Sequence, residues 1–453
     1  MDINEIKALI EKHKDLVLKA ERDIRAMPEV GFREFRTDAY MKDAFRRLGY
    51  RLTEAEGITG FCTVADTGRE GPTVLVLAEL DALYCAGHPE RDPVTNAAHA
   101  CGHHAQCAAL LGLAAALKEK NALDGLSGRI KLCVVPAEEG IDIEYRMDLI
   151  KSGKISFASG KQEFLSRGFF DDVDVAFMVH AGSTDPAAPE KLFSVYKGYN
   201  GVIRKKIVIK GRAAHAGGSP HLGINALNAA SLVICAVNSL RETFREEDHV
   251  RFHPIITKGG DAVNAVPAEV IMQSYVRAAS TAALTSANRK INRAVAAAAA
   301  ANGCTALISD IGGSEPFVQD ANLTSVFFDV CEKIGGKECV DDRSGEFETC
   351  STDMGDIAVN FPSLHPYAAG AEGAEHGCDY RIPDPWKLCG NSALLQLGMI
   401  RELLENGAAK AREIKACFTP VFPSIPAYIA FKKAQTADIE AVRENPDGSV
   451  TLV

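Results

Sequence analysis

The sequence predicts an α/β protein that carries a second, inserted domain of β-α-β-β-α-β order. Three observations predict it. Short apolar runs at 73–78, 129–135 and 174–179 alternate with helical stretches, and each run ends in polar residues. The stretch from about 201 to 309 has a different rhythm, the order of a split βαβ unit. At 453 residues with 47% apolar composition, the chain is too long for one core and rich enough to build two or three.

Residues 4–25 and 37–48 have the spacing of amphipathic helices, the second stopped by Gly49. Thr73 to Ala78 reads as a buried strand running into Glu79-Leu80-Asp81. A helix rich in Ala and Leu follows at 104–119. Arg129 to Val135 is a second strand, ending before Pro136-Ala137-Glu138-Glu139-Gly140. Asp174 to Val179 is a third, ending at His180. Polar residues therefore collect where strands end, the usual place for a site in such a sheet. In the inserted part, 201–210, 251–257, 268–277 and 304–309 read as strands, with helices at 223–243 and 283–301. The domain boundaries follow: 1–197 and 312–416 for the main domain and 198–311 for the insert. Residues 417–453, with three prolines by Pro426 and a Pro446-Asp447-Gly448 end, read as a loosely attached tail.

Charge and composition exclude several classes. The formal net charge is −10, which argues against nucleic acid or an anionic membrane as the main partner. No apolar run approaches the ~18 residues that span a bilayer. The N-terminus lacks the basic-then-apolar order of a signal peptide. Thirteen cysteines, an odd number without a framework spacing, read as reduced thiols of a cytoplasmic protein.

The chemistry lies in two motifs. Ala100-Cys101-Gly102-His103-His104 offers a thiol and an imidazole two residues apart, and a metal would secure the thiolate. Alone, this reads equally as a buried thiol beside a helix-start histidine. Glu138 and Glu139 sit at a strand end where successive side chains diverge, so one can hold metal while the other faces substrate. Alone, they read as a solvated pair. His180 and His376 gain weight only beside these motifs. His215, Asn264 and Arg277 form a second set in the insert. An imidazole, an amide and a guanidinium suit an oxyanion and a carboxylate. No Gly-Lys-Ser/Thr phosphate loop and no Gly-x-Ser-x-Gly elbow is present.

The order of these motifs resembles one family over roughly residues 10–416. Leu80-Asp81-Ala82-Leu83, the Ala-Cys-Gly-His segment, Pro-Ala-Glu-Glu-Gly, a strand ending at His180, and His215 in an inserted domain look like the metal-dependent aminoacylase and carboxypeptidase family, amidohydrolase branch. Cys350 to Asp356 followed by Pro362-Ser363-Leu364-His365-Pro366 looks most like its p-aminobenzoyl-glutamate hydrolase subgroup. The resemblance implies a zinc-exopeptidase-like catalytic domain with a ferredoxin-like lid and dimerisation domain. It implies two divalent ions, zinc or manganese, bridged by Cys101 and completed by His103, Glu139, His180 and His376. It further implies Glu138 as general base and Asp81 as the carboxylate orienting a ligand imidazole. His215, Asn264 and Arg277 would bind substrate, with His215 and Asn264 able to serve a neighbouring subunit in a homodimer. The chain departs from the family at His104, at Gln106 where many members have a further histidine, and in longer stretches at 84–99 and 141–170.

The expected reaction is hydrolysis of the amide bond of an N-acyl or aroyl amino acid, or of a dipeptide with a free carboxylate. The alternatives are a dipeptidase or carboxypeptidase of the same family, and a non-catalytic metal-dependent binder of amino-acid conjugates. The Glu138-Glu139 pair counts against the binder, which has no need of a base.

Overall fold

The computed structural model describes residues 1–453, which form two compact units. The first comprises Met1–Gly198, Val318–Phe347 and Asp356–Ala427. The second comprises Tyr199–Phe317, Glu348–Gly355 and Tyr428–Val453.

The first unit is built on a six-stranded sheet. Its strands run in the order Thr53–Glu54, Phe61–Asp66, Arg129–Val135, Thr73–Glu79, Val175–Phe177 and Ser363–Leu364. The last four in that order are parallel, and Phe61–Asp66 pairs antiparallel with Arg129–Val135. Thr73–Glu79 is buried along its whole length, as its unbroken apolar run requires of a strand covered on both faces. Against the sheet packs His103–Ala116, buried at every position. Its composition of Ala, Leu and Gly suits a helix with no solvent face. The first helical stretch is two helices, Ile3–Glu11 and Lys14–Arg25, interrupted at Lys12 and His13.

The third strand ends earlier than the apolar run suggests. Val175–Phe177 stays in the parallel sheet, and the chain then crosses to a second sheet, where His180–Ser183 pairs in parallel with Tyr367–Ala371. His180 is thus the first residue of a strand rather than the last. The partner in the first sheet, Ser363–Leu364, has only two residues, so pairing cannot continue and His180 N–H bonds Pro366 O instead at 2.9 Å.

The second unit has its own core. Gly201–Lys210 lies between Glu269–Ala278 and Thr305–Gly312, antiparallel to both. Helices Ala226–Asn238 and Thr281–Ala301 cover the sheet, and Ile207, Val233, Met272, Leu284 and Ile291 fill the space between. The strand expected at 251–257 is two short pieces, Arg251–Phe252 and Ile255–Lys258. Pro254 lies between them and has no N–H for the ladder.

The C-terminal residues differ from a loose tail. Ile425–Gln435 is a helix, and Ala437–Glu444 adds to the sheet antiparallel to Thr305–Gly312. Val450–Leu452 folds back on it. Lys432, fully buried, anchors this segment by donating to Gly313 O (2.6 Å), Glu315 Oε1 (2.8 Å) and Gln435 Oε1 (2.6 Å). The Asp447-Gly448 dipeptide is the turn of a hairpin, the reading that alternation on either side of it supports.

Candidate metal centre

The carboxyl ends of Thr73–Glu79 and Arg129–Val135 lie side by side, with Leu80 N–H bonded to Val135 O at 2.9 Å. Asp81 follows the first strand and Glu138-Glu139 the second. The Asp81 carboxylate accepts the Glu139 N–H at 2.9 Å, so one acidic side chain fixes the backbone of the other segment.

Gly102 brings the thiol to this edge. It adopts φ +88°, and a Cβ there would meet the Ala181 methyl at 2.4 Å. Only glycine lets the loop approach the strand that starts at His180. Cys101 Sγ consequently lies 3.6 Å from His180 Nε2. His103 opens the buried helix, and its Nδ1–H donates to Asp81 O at 2.8 Å. His180 Nδ1–H likewise donates to Ala181 O at 2.9 Å. Both bonds fix the tautomer that leaves Nε2 with its lone pair, as in ligand imidazoles. His376 arrives on a loop in the left-handed region (φ +63°) and is held by its N–H to Ala100 O at 2.8 Å. Its Nε2 stands 3.3 Å from Glu139 Oε1.

The five residues form two triads that share Cys101. In Cys101, His103 and His180, and again in Cys101, Glu139 and His376, the donor atoms all lie within 4.8 Å of one another. A further group within the same limit is His103, Glu138 and Glu139. His103 Nε2 and Glu139 Oε1 are buried without a hydrogen-bond partner. Buried polar atoms usually find a partner, and these two lie among donor atoms close enough together to fit a bound cation. One thiol, three imidazoles and one carboxylate make a donor set suited to borderline divalent ions. Burial and the Glu139 charge push the Cys101 thiol well above its usual range, so a cation is what would hold it as thiolate. Burial disfavours a charged His103, but Glu79, Cys101 and Asp81 outweigh it and raise the imidazole's pKa.

Known proteins resemble this chain in sequence and in fold. Residues 198–303 match the peptidase dimerisation domain model. An Xaa-Arg dipeptidase of Mus musculus is 30% identical over 294 residues, covering 63% of this chain and 61% of that protein. One of the p-aminobenzoyl-glutamate hydrolase subunits of Escherichia coli is 31% identical over 258 residues, covering 55% and 48%. A Bacillus subtilis crystal structure, described as a dinuclear metal binding peptidase from the M20 family, superposes at a TM-score of 0.64. It shares 19% identity and covers 86% of this chain and 98% of that one. The likeness in sequence is to a peptidase dimerisation domain and to these hydrolases, and the likeness in fold is to an M20 peptidase. The chain spans 61% and 48% of the length of these two curated relatives. The Bacillus subtilis structure shares the fold described above, in which residues 198–303 match the dimerisation domain model.

Other expected residues are not members of the triads. His104 faces away from His103. It is buried with Nε2 3.4 Å from Glu21 Oε1, and its ring packs against His99. His215, Asn264 and Arg277 belong to the second unit. His215 Nδ1 accepts from Gly217 N (3.2 Å) and Gly218 N (2.9 Å), and Ala216 N–H bonds Asn264 O, so these two loops are neighbours. Arg277 stands near the end of its strand and donates to Ser351 Oγ at 3.3 Å. It is not beside the His215–Asn264 pair in the ladder, being ten or more residues along the strand hairpin.

The structure adds residues that the motifs do not reveal. Glu79 Oε2 lies 3.2 Å from His103 Nε2 and accepts from Gln106 Nε2 at 3.0 Å, while Oε1 accepts from the fully buried Lys161 at 2.5 Å. Burial alone would raise the Glu79 pKa, but Lys161, His103 and His180 hold it far below the usual carboxylate range. Gln106, where many relatives have histidine, is therefore a donor to this carboxylate. Glu79 is open to detection, because it is two residues before Asp81 and shares its strand face. Glu34 and Arg146 are buried too, and both bond the backbone of the acid-pair turn.

Proposed function

We propose that this protein is a metal-dependent amidohydrolase that cleaves the amide bond of N-acyl or aroyl amino acids or of dipeptides. The observation that carries the reading is the pair of triads meeting at Cys101, with Glu138 beside them. Cys101, His103, His180, Glu139 and His376 would hold two divalent ions, zinc or manganese. Bound there, such ions lower the pKa of a water and polarise a carbonyl. Glu139 suits a ligand because its Oε1 is buried without a hydrogen-bond partner. Glu138 is the less buried of the two acids, which suits a base that must meet water and substrate. It removes the proton from the attacking water and returns it to the departing amine. Arg277 would hold the substrate carboxylate, and His215 and Asn264 would bind the carbonyl end.

Relatives named as an Xaa-Arg dipeptidase, a p-aminobenzoyl-glutamate hydrolase and an N-acetyl-L-cysteine deacetylase support the reaction type and the breadth of acyl group. We read the working form as a homodimer. Ile255 and Ile256, 62% and 40% exposed, lie on a short strand paired on one side only. Sedimentation checks this: a monomer with full activity would exclude a shared site. Turnover of a panel of N-acyl amino acids, aroyl-glutamates and dipeptides, with zinc and then manganese, tests the reaction. Metal binding without hydrolysis of any member would leave the binder alternative in its place.

A further inference from the structure

The turn that bears the two acids is gripped from both sides by buried polar side chains outside the triads. Ala137 adopts φ +57°, a conformation that a side-chain-bearing residue seldom holds unaided. Its N–H donates to Glu34 Oε1 at 2.8 Å, and Glu34 is completely buried with its other oxygen accepting from Thr59 Oγ1 at 2.7 Å. The Ala137 carbonyl accepts from Arg146 Nη1 at 3.2 Å. Two residues on, the Glu139 N–H is held by Asp81 and the Glu139 carbonyl by Arg146 Nη2. Arg146 also donates to Ala158 O at 2.6 Å and is 1% exposed. Gly31 leaves room for this arrangement, since a Cβ there would lie 2.5 Å from Arg146 Nη2 and 2.8 Å from Ala137 Cα. The result is that the peptide groups of Ala137 and Glu139 are both pinned at N–H and C=O. Glu138 is the single residue between them.

We propose that Arg146 is a positioning residue for the acid pair: by bracing the carbonyls on either side of Glu138, it sets the direction of the Glu138 carboxylate and keeps Glu139 turned toward Cys101 and His376. This rests on the reading of Glu138 as base and Glu139 as ligand. A guanidinium suits the task because its planar fork reaches several carbonyls in fixed directions. It also stays charged when buried, where a lysine ammonium would be prone to lose its proton. Arg146 belongs to the 141–170 stretch, whose length departs from the resembling family. That stretch therefore acts as a brace rather than as a loop beside the substrate.

The test compares Arg146→Lys, Glu138→Gln and the double variant in the full-length, zinc-loaded protein, with a urea melt to establish folding. Arg146→Lys should lower kcat at least 30-fold with KM changed less than threefold. In the Glu138→Gln background the same change should cost less than threefold, because the residue it aims is already inert. Zinc titration of the apo protein, followed calorimetrically and needing no substrate, should show affinity weakened about tenfold for one ion. If Arg146→Lys does not fold, Glu34→Gln, which loosens the other side of the same peptide, should show the kcat and double-variant pattern in weaker form. Unchanged kcat and zinc affinity in a folded Arg146→Lys would overturn the proposal, as would equal losses with and without Glu138. Full activity of Glu138→Gln would instead sink the assignment of the base, while the zinc titration would still judge the brace.

Discussion

Two of the buried clusters of charge in this chain are built to opposite rules. In the second unit, Lys205 and Asp310 are buried on neighbouring strands and saturate one another. Lys205 donates to Asp310 and to Asn292 Oδ1 (2.6 Å), and Asp310 Oδ2 accepts from Asn288 (2.6 Å) and Asn292 (3.0 Å). In the first unit, His103 Nε2 and Glu139 Oε1 are buried and make no hydrogen bond, their ion-pair neighbours being Glu79 Oε2 at 3.2 Å and His376 Nε2 at 3.3 Å. Both clusters carry the desolvation cost of buried polar groups. One meets that cost within the chain. In the other, the two atoms face ion-pair neighbours alone, and a cation among them would complete the pairing. Burial of charge alone therefore does not mark function; the convergence of metal-ligating donor atoms is what sets the cluster of the first unit apart.

The largest expected effect separates chemistry from binding at the open cluster. Glu138→Gln should reduce turnover by roughly 10²–10⁴-fold, the range for losing a general base. Zinc content measured by atomic absorption should be unchanged. Near-normal turnover would break the assignment. Next comes the closed cluster: Asp310→Ala leaves Lys205 buried and unpaired, and should cost about 3–5 kcal/mol in the urea unfolding of the second unit. Replacing both, Asp310→Leu with Lys205→Met, should recover most of that loss, because the pair is structural. Zinc affinity should not move in either variant.

Metal removal gives a smaller effect on the opposite side. A ligand present at about 100 times its Kd stabilises by about 2.7 kcal/mol. Thermal melts with zinc and with a chelator should differ accordingly, and Cys101→Ser should erase most of the difference. A stabilisation that survives in Cys101→Ser would place the ion elsewhere.

The smallest effect is in pH. Burial, with the Asp81 charge adding to it, pushes the Glu34 carboxyl up to about 8. Folding thus favours its protonated form. The stability it contributes is complete below the ordinary carboxylate pKa of ~4.3 and is lost as pH rises through about 8. Melts in chelator between pH 5 and 8.5 should fall more steeply for the wild type than for Glu34→Gln. Parallel slopes would show that Glu34 is already ionised in the folded state.

Much of this is legible in the sequence. The strand-end positions of Asp81, Glu138 and Glu139 follow from apolar runs of strand length, and Cys101 and His103 from their place before an Ala- and Leu-rich helix. Lys161, Arg146 and Glu34 are not legible. Each stands in a polar stretch and reads as a surface charge, and only the packing of distant segments buries it. Glu79 lies between these cases, since its strand face points to the site but nothing in its spacing sets it apart from Asp81. The C-terminal hairpin escapes the sequence because its prolines outweigh the alternation in Ala437–Glu444. The register of that strand with Thr305–Gly312 is a long-range pairing that no local pattern specifies.

That hairpin also governs how many copies could join through the sheet of the second unit. A strand edge with free N–H and C=O groups invites another chain, and a sheet open at both sides can go on adding neighbours without limit. Here Ala437–Glu444 pairs with Thr305–Gly312 and carries the edge on that side out to the three-residue strand Val450–Leu452. The side at Ile255–Lys258 stays available. Joining two such edges uses both of them and relates the chains by a two-fold axis. The hairpin thus sets how much edge a further neighbour could meet on its own side, a strand of three residues.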